Sequence, residues 1–151
     1  MKRLLYLFLT ACLCLTACDF ETSNNGDLDG YWQLKQVDTL ATGGSADMRT
    51  SGLFWSVQVN LLETRDNKNA NINIYWRFEK TGDRLRIWNP IANNRAISDS
   101  IVKDPATCAG YYIQATPMAD GNLESVLLIN KLNSDDMVLS NNSYRLHFRK
   151  Y

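Results

Sequence analysis

From Gly30 to the C-terminus, apolar and polar positions alternate with a period of two rather than 3.6, the spacing that gives a strand one dry and one wet face. Ile72, Ile74, Trp76 and Phe78 interleave with Asn71, Asn73, Tyr75, Arg77 and Glu79. Val57, Val59 and Leu61 interleave with Ser56, Gln58 and Asn60, and Tyr144, Leu146 and Phe148 with Arg145, His147 and Arg149. Between such runs stand Thr81-Gly82-Asp83, Asp120-Gly121-Asn122, Asn133-Ser134-Asp135-Asp136 and Asn141-Asn142, whose residues tolerate positive φ and suit hairpin turns. The pattern predicts eight strands, over 31–39, 54–63, 71–80, 84–89, 111–116, 123–132, 136–140 and 143–150.

Two connections are longer. Residues 40–53 contain Thr42-Gly43-Gly44-Ser45 and read as an Ω-type loop, with room for one helical turn capped by Ser45 and stopped by Gly52. Residues 90–110 end in Asp104-Pro105-Ala106-Thr107-Cys108-Ala109-Gly110, where Asp as N-cap, Pro at the first helical position and Gly at the C-cap predict one short helix. Neither segment can cover a sheet face. The sheet must therefore bury its dry side against itself, as a closed barrel or a sandwich.

The first 29 residues follow another logic. Lys2-Arg3 precedes an apolar run over 4–15, and Leu15-Thr16-Ala17-Cys18 has the form of a lipobox, so 1–17 reads as a bacterial lipoprotein signal peptide. This stretch of 12 residues falls short of the roughly 20 that a membrane-spanning helix needs. The Cys18 thiol is the expected lipidation site, and its acyl chains the expected membrane partner. Residues 18–29 are polar, acidic and aperiodic, the pattern of a flexible tether, which leaves 30–151 as a single domain. The implied location is the cell envelope, lipid-anchored in the outer membrane, with the periplasmic or surface face left open.

Composition narrows the function. Without residues 1–17 the chain keeps 14 basic against 16 acidic side chains, a net charge of about −2 with His147 neutral. No basic run exceeds Arg149-Lys150, which argues against nucleic acid as a partner. Of four cysteines, Cys12 and Cys14 leave with the signal and Cys18 is acylated, so Cys108 stands alone and no disulfide framework is expected. One His and no Cys-x-x-Cys or His-Glu-x-x-His spacing predict neither metal nor cofactor. A Cys108–His147 dyad lacks an orienting third group, and Glu63, Glu79 and Glu124 are scattered over different strands, so no enzyme is expected.

Gly30-Tyr31-Trp32 has the form of the Gly-x-Trp that opens the first strand of lipocalins, and Tyr144 to Tyr151 resembles their closing strand. The chain resembles the lipocalin or calycin group, specifically the small lipocalin-like lipoproteins of anaerobic Gram-negative bacteria. The resemblance implies an all-β, up-and-down antiparallel β-barrel of about eight strands. It also implies a plug at the barrel bottom: Gly30 permits a close approach, and the Trp32 indole lies under a cation from the last strand. Arg149 is the residue type expected there, whereas alternation sends Lys150 inward and Arg149 outward, so both are candidates. Residues 40–53 would supply a lid, at Gly43 to Arg49.

Two functions fit this layout. One is a non-enzymatic carrier of a small apolar or amphipathic ligand, lined by Trp55, Val57, Val59, Ile74, Trp76, Phe78 and Leu146. The alternative is a barrel filled by its own side chains that docks to an envelope protein complex or a glycan. Tyr75 and Trp88 would then be surface residues, since Trp88 falls on the opposite parity to Leu85 and Ile87.

Overall fold

The computed structural model describes residues 23–68, 73–93, 100–113, 116–117 and 123–151, with 116–117 as backbone only. The expected signal peptide, Cys18, the first tether residues and the Asp120-Gly121-Asn122 turn lie outside the described residues, as do strand positions 71–72 and 114–115.

One antiparallel sheet holds β1 (Gly30–Thr39), β2 (Gly44–Asp47), β3 (Leu53–Gln58), β4 (Leu61–Asp66), β5 (Asn73–Thr81) and β6 (Arg84–Ala92). It continues with β7 (Ser100–Ile101), β8 (Thr116–Pro117), β9 (Leu123–Leu132), β10 (Asp136–Ser140) and β11 (Tyr144–Lys150). Eight of these close a barrel in the order β1, β3, β4, β5, β6, β9, β10, β11. β11 returns antiparallel onto β1, and β6 pairs with β9 across the long connection. The architecture is the expected all-β, up-and-down barrel. Closure leaves its strands no free edges along the shared ladders.

Two of the eight strands are not the ones the alternation predicts. The run 54–63 is two strands, β3 and β4, joined by a turn at Val59-Asn60. Val59 sits there at φ 54, so parity flips: Leu62 and Thr64 face inward, while Val59 and Leu61 are each 37% exposed. A continuous Val57, Val59, Leu61 alternation hid the turn because Gln-Val-Asn-Leu carries no Gly at the position needing positive φ. The run 111–116 gives no barrel strand. Residues Ala106–Ala109 form α1, Tyr111 and Tyr112 follow in a turn, and the next described pairing is at β8. The helix starts as its cap chemistry requires, with the Ala106 amide donating to Asp104 Oδ1 at 2.9 Å.

The fold also begins before Gly30. Gly26–Leu28 forms a 3-10 turn whose Leu28 is fully buried in the core, so folded structure reaches into the segment 18–29 expected as a tether. A single leucine in an acidic stretch has no periodicity to announce it.

At one end of the barrel lie this 3-10 turn, the start of β1, the turns 59–60, 82–83 and 133–135, and the C-terminus. At the other lie residues 40–52, 67–68, 102–113 and 141–143. The core runs between them as one continuous cluster from Leu28 and Trp32 to Tyr111 and Ile113.

Candidate functional site

The first end is closed by a local construction. Trp32 is fully buried, and its Nε1 donates to the Leu28 carbonyl at 2.9 Å, which fixes the 3-10 turn beneath the indole. Lys150 Nζ lies 4.8 Å from the ring centroid and donates to the Asp27 carbonyl at 3.1 Å. This is a cation over an aromatic face, anchored at its far side. Gly30 makes room for it: a Cβ there would stand 2.7 Å from Lys150 Cε. Arg149 is not part of this arrangement. Strand alternation turns it outward, where its Nε donates to Gln33 Oε1 at 2.8 Å, and no bulge in β11 reverses that parity.

Inside the barrel, the expected lining residues are packed against one another. Trp55, Val57, Ile74, Trp76 and Leu146 are each at most 2% exposed, and Phe78 is 8% exposed. Trp55 meets Phe148 at a centroid separation of 4.8 Å. Trp76 Nε1 donates to Thr64 Oγ1 at 3.1 Å, and that hydroxyl donates to the Ile74 carbonyl at 3.3 Å, so the buried polar atoms are satisfied internally. Val59 lines nothing, since it stands at the β3–β4 turn outside the barrel.

The mouth is occupied by a segment that the sequence assigns no such task. Val102, Cys108, Tyr111 and Ile113, all from the β6–β9 connection, are buried and belong to the core cluster. Burial pushes the Cys108 thiol up to about 11 and, helped by the charge of Asp66, the Tyr111 phenol up to about 12. The expected lid plays a different part. Residues Gly44–Asp47 are exposed and pair with the upper half of β1, and Met48 alone of this loop packs on the core, beside the Tyr112 hydroxyl at 3.9 Å. No sequence signal marks residues 102–113 as a plug, because Val, Cys, Tyr and Ile in a loop have no period.

Outside, His147 Nε2 lies 2.7 Å from Asp38 Oδ2 across the β1–β11 seam. Hydrogen bonds from Gln36 and His147 hold the Asp38 carboxyl down to about 2. That imidazole nitrogen is thus engaged by a carboxylate, while the Cys108 thiol is the reverse of an activated nucleophile. Trp88 is half-buried on the outer face with the Arg86 guanidinium 4.8 Å over its ring, and Arg86 reaches Glu124 with two bonds of 2.7 and 2.9 Å. Tyr75 is also half-buried on the outer face. Among the described residues no group of three His, Cys, Asp or Glu side chains could hold a metal ion. No helix among them is long and apolar enough to cross a membrane.

Comparison with known proteins agrees with this geometry. A family model described as a lipocalin-like domain matches residues 13–151. A lipocalin-like protein from Bacteroides uniformis superposes with a TM-score of 0.58 at 20% identity, covering 83% of this chain and 100% of the other. An uncharacterized protein from Bacteroides eggerthii superposes with a TM-score of 0.51 at 16% identity, covering 82% and 98%. No curated protein matches the chain.

Proposed function

This chain belongs to the lipocalin-like domain family, and from that premise we propose a non-enzymatic, membrane-anchored barrel that acts through its outer surface. The observation that carries the reading is the packed interior. A side chain bordering a water-sized void keeps accessible surface, yet Trp32, Leu62, Trp76, Leu85, Ile87, Leu127, Leu139 and Phe148 retain at most 1%. An eight-stranded barrel is narrow enough for side chains to fill it, and among the described residues these eight side chains leave no such void beside them. The carrier reading would require the 102–113 plug to leave the mouth and the tryptophans beneath it to repack.

The absence of chemistry rests on the raised Cys108 thiol and the engaged His147 nitrogen. The anchor rests on Leu15-Thr16-Ala17-Cys18, and the docking partner is an envelope protein or glycan met by the exposed faces of the strands. Native mass spectra of the protein purified from its own membranes test the packed interior. A mass that matches the acylated chain alone is expected. Excess mass that vanishes on denaturation would overturn the reading in favour of a bound small molecule.

A further inference from the structure

The turn between β3 and β4 stands out on the closed end. Its first central residue, Val59, is β-branched at φ 54, a backbone region that favours Gly or Asn. Both Val59 and Leu61 still leave more than a third of their surface in solvent, at 37% each. The turn therefore presents two apolar side chains at an extremity of the barrel, where Asn60 and Gln58 beside them are exposed as well.

The same turn is tied to the N-terminal segment. Asn25 Nδ2 donates to the Val59 carbonyl at 2.8 Å and to Asp29 Oδ1 at 2.7 Å, so the chain enters the fold beside this tip. Only seven residue steps separate Asn25 from Cys18, a reach of at most about 25 Å when fully extended. An acyl anchor on Cys18 would keep the closed end within that reach of the bilayer. Charge does not choose the contact, because Lys80, Asp83, Lys131, Asp135 and Asp136 mix both signs around this end.

We infer that the Val59-Leu61 turn is a second membrane contact, its two apolar side chains seated in the lipid interface beside the anchored N-terminus. This inference rests on the anchor reading of Cys18. The occupant is a lipid surface rather than a protein because the tip is small, apolar and held within tether length of the acyl chains.

The test uses the full-length acylated protein in vesicles of phosphatidylethanolamine and phosphatidylglycerol. Cys108 is buried and Cys18 acylated, so a thiol introduced as Leu61→Cys or as Leu40→Cys takes an environment-sensitive fluorophore alone. Leu40 is the control: it is comparably exposed, at the opposite end of the barrel. Quenching by lipids spin-labelled near the headgroup is expected to be several-fold stronger at position 61 than at 40, and Val59→Asn is expected to reduce it. Equal quenching at the two positions on vesicle-bound protein overturns the tip contact and leaves the anchor standing. Absence of a diacylglyceryl mass on Cys18 overturns both, and is read separately from the same preparation.

Discussion

At Gly30 two demands coincide. The backbone φ of +130 lies where side chains are rarely tolerated, and a Cβ would collide with Lys150 Cε over the Trp32 ring. Gly30→Ala is expected to destabilise the domain by about 1–3 kcal/mol, read as a lower urea midpoint with unchanged slope. Val59 poses the opposite case, an L-residue already in a glycine-like conformation. Val59→Gly is expected to raise stability by relieving a strain of about 1 kcal/mol or more, a shift of a few degrees in the thermal midpoint. A lower midpoint would mean that the valine is held by packing rather than tolerated. Trp32 was legible because Gly-x-Trp is a local pattern. Between Lys150 and Arg149 the sequence left the choice open, because alternation sends Lys150 inward while the family resemblance asks for Arg; Lys150 is the one that lies over the ring. Val59 was not legible, since nothing in Gln-Val-Asn-Leu distinguishes a strand from two strands and a turn.

On the scale of elements, the β6–β9 connection separates what is local from what is tertiary. The helix Ala106–Ala109 is written in its caps, with Asp104 before and Gly110 after. That this helix turns Cys108 inward, and that Tyr111 follows it into the core, depends on the space left by strands distant in sequence, which no window of sequence contains. The prediction follows from burial. A thiol held at about 11 and shut from solvent is expected to resist maleimide at pH 8 in the native protein. Tyr111→Ala removes the largest neighbouring side chain of the plug and is expected to speed Cys108 labelling several-fold while circular dichroism keeps its β signature. Labelling of the native protein at the rate of a free thiol would show that the plug does not seal the mouth. Eight barrel strands were counted correctly from two incorrect ones: splitting 54–63 added a strand, and Tyr111 and Tyr112 standing in a turn rather than in a barrel strand removed one.

Across the whole molecule, what alternation cannot encode is closure. Period-two patterning says which side of each strand is dry, whereas the pairing of β1 with β11, and of β6 with β9, decides that the dry sides meet in a filled interior. Both seams carry ionised groups. His147 and Gln36 hold Asp38 at the first, and Arg86 holds Glu124 at the second, while Lys131 and Lys35 hold Asp136 beside the closed end. In each case hydrogen bonding to the charged form lowers the carboxyl below its ordinary range, to about 2 for Asp38. A carboxylate depressed in the folded state stabilises it fully above the unfolded value, 3.8 for Asp38, and ceases to do so as pH falls through the folded one. The urea midpoint is therefore expected to fall as pH drops from about 4 to about 2, most steeply midway between the two values. Asp38→Asn is expected to lower stability at pH 7 and to flatten that decline. Should the decline keep its full slope in Asp38→Asn, the acid sensitivity belongs to the other depressed carboxylates, Asp47, Glu124 and Asp136, and the Asp38–His147 pair adds nothing to a β1–β11 seam held by its backbone ladder and the Gln33–Arg149 bond.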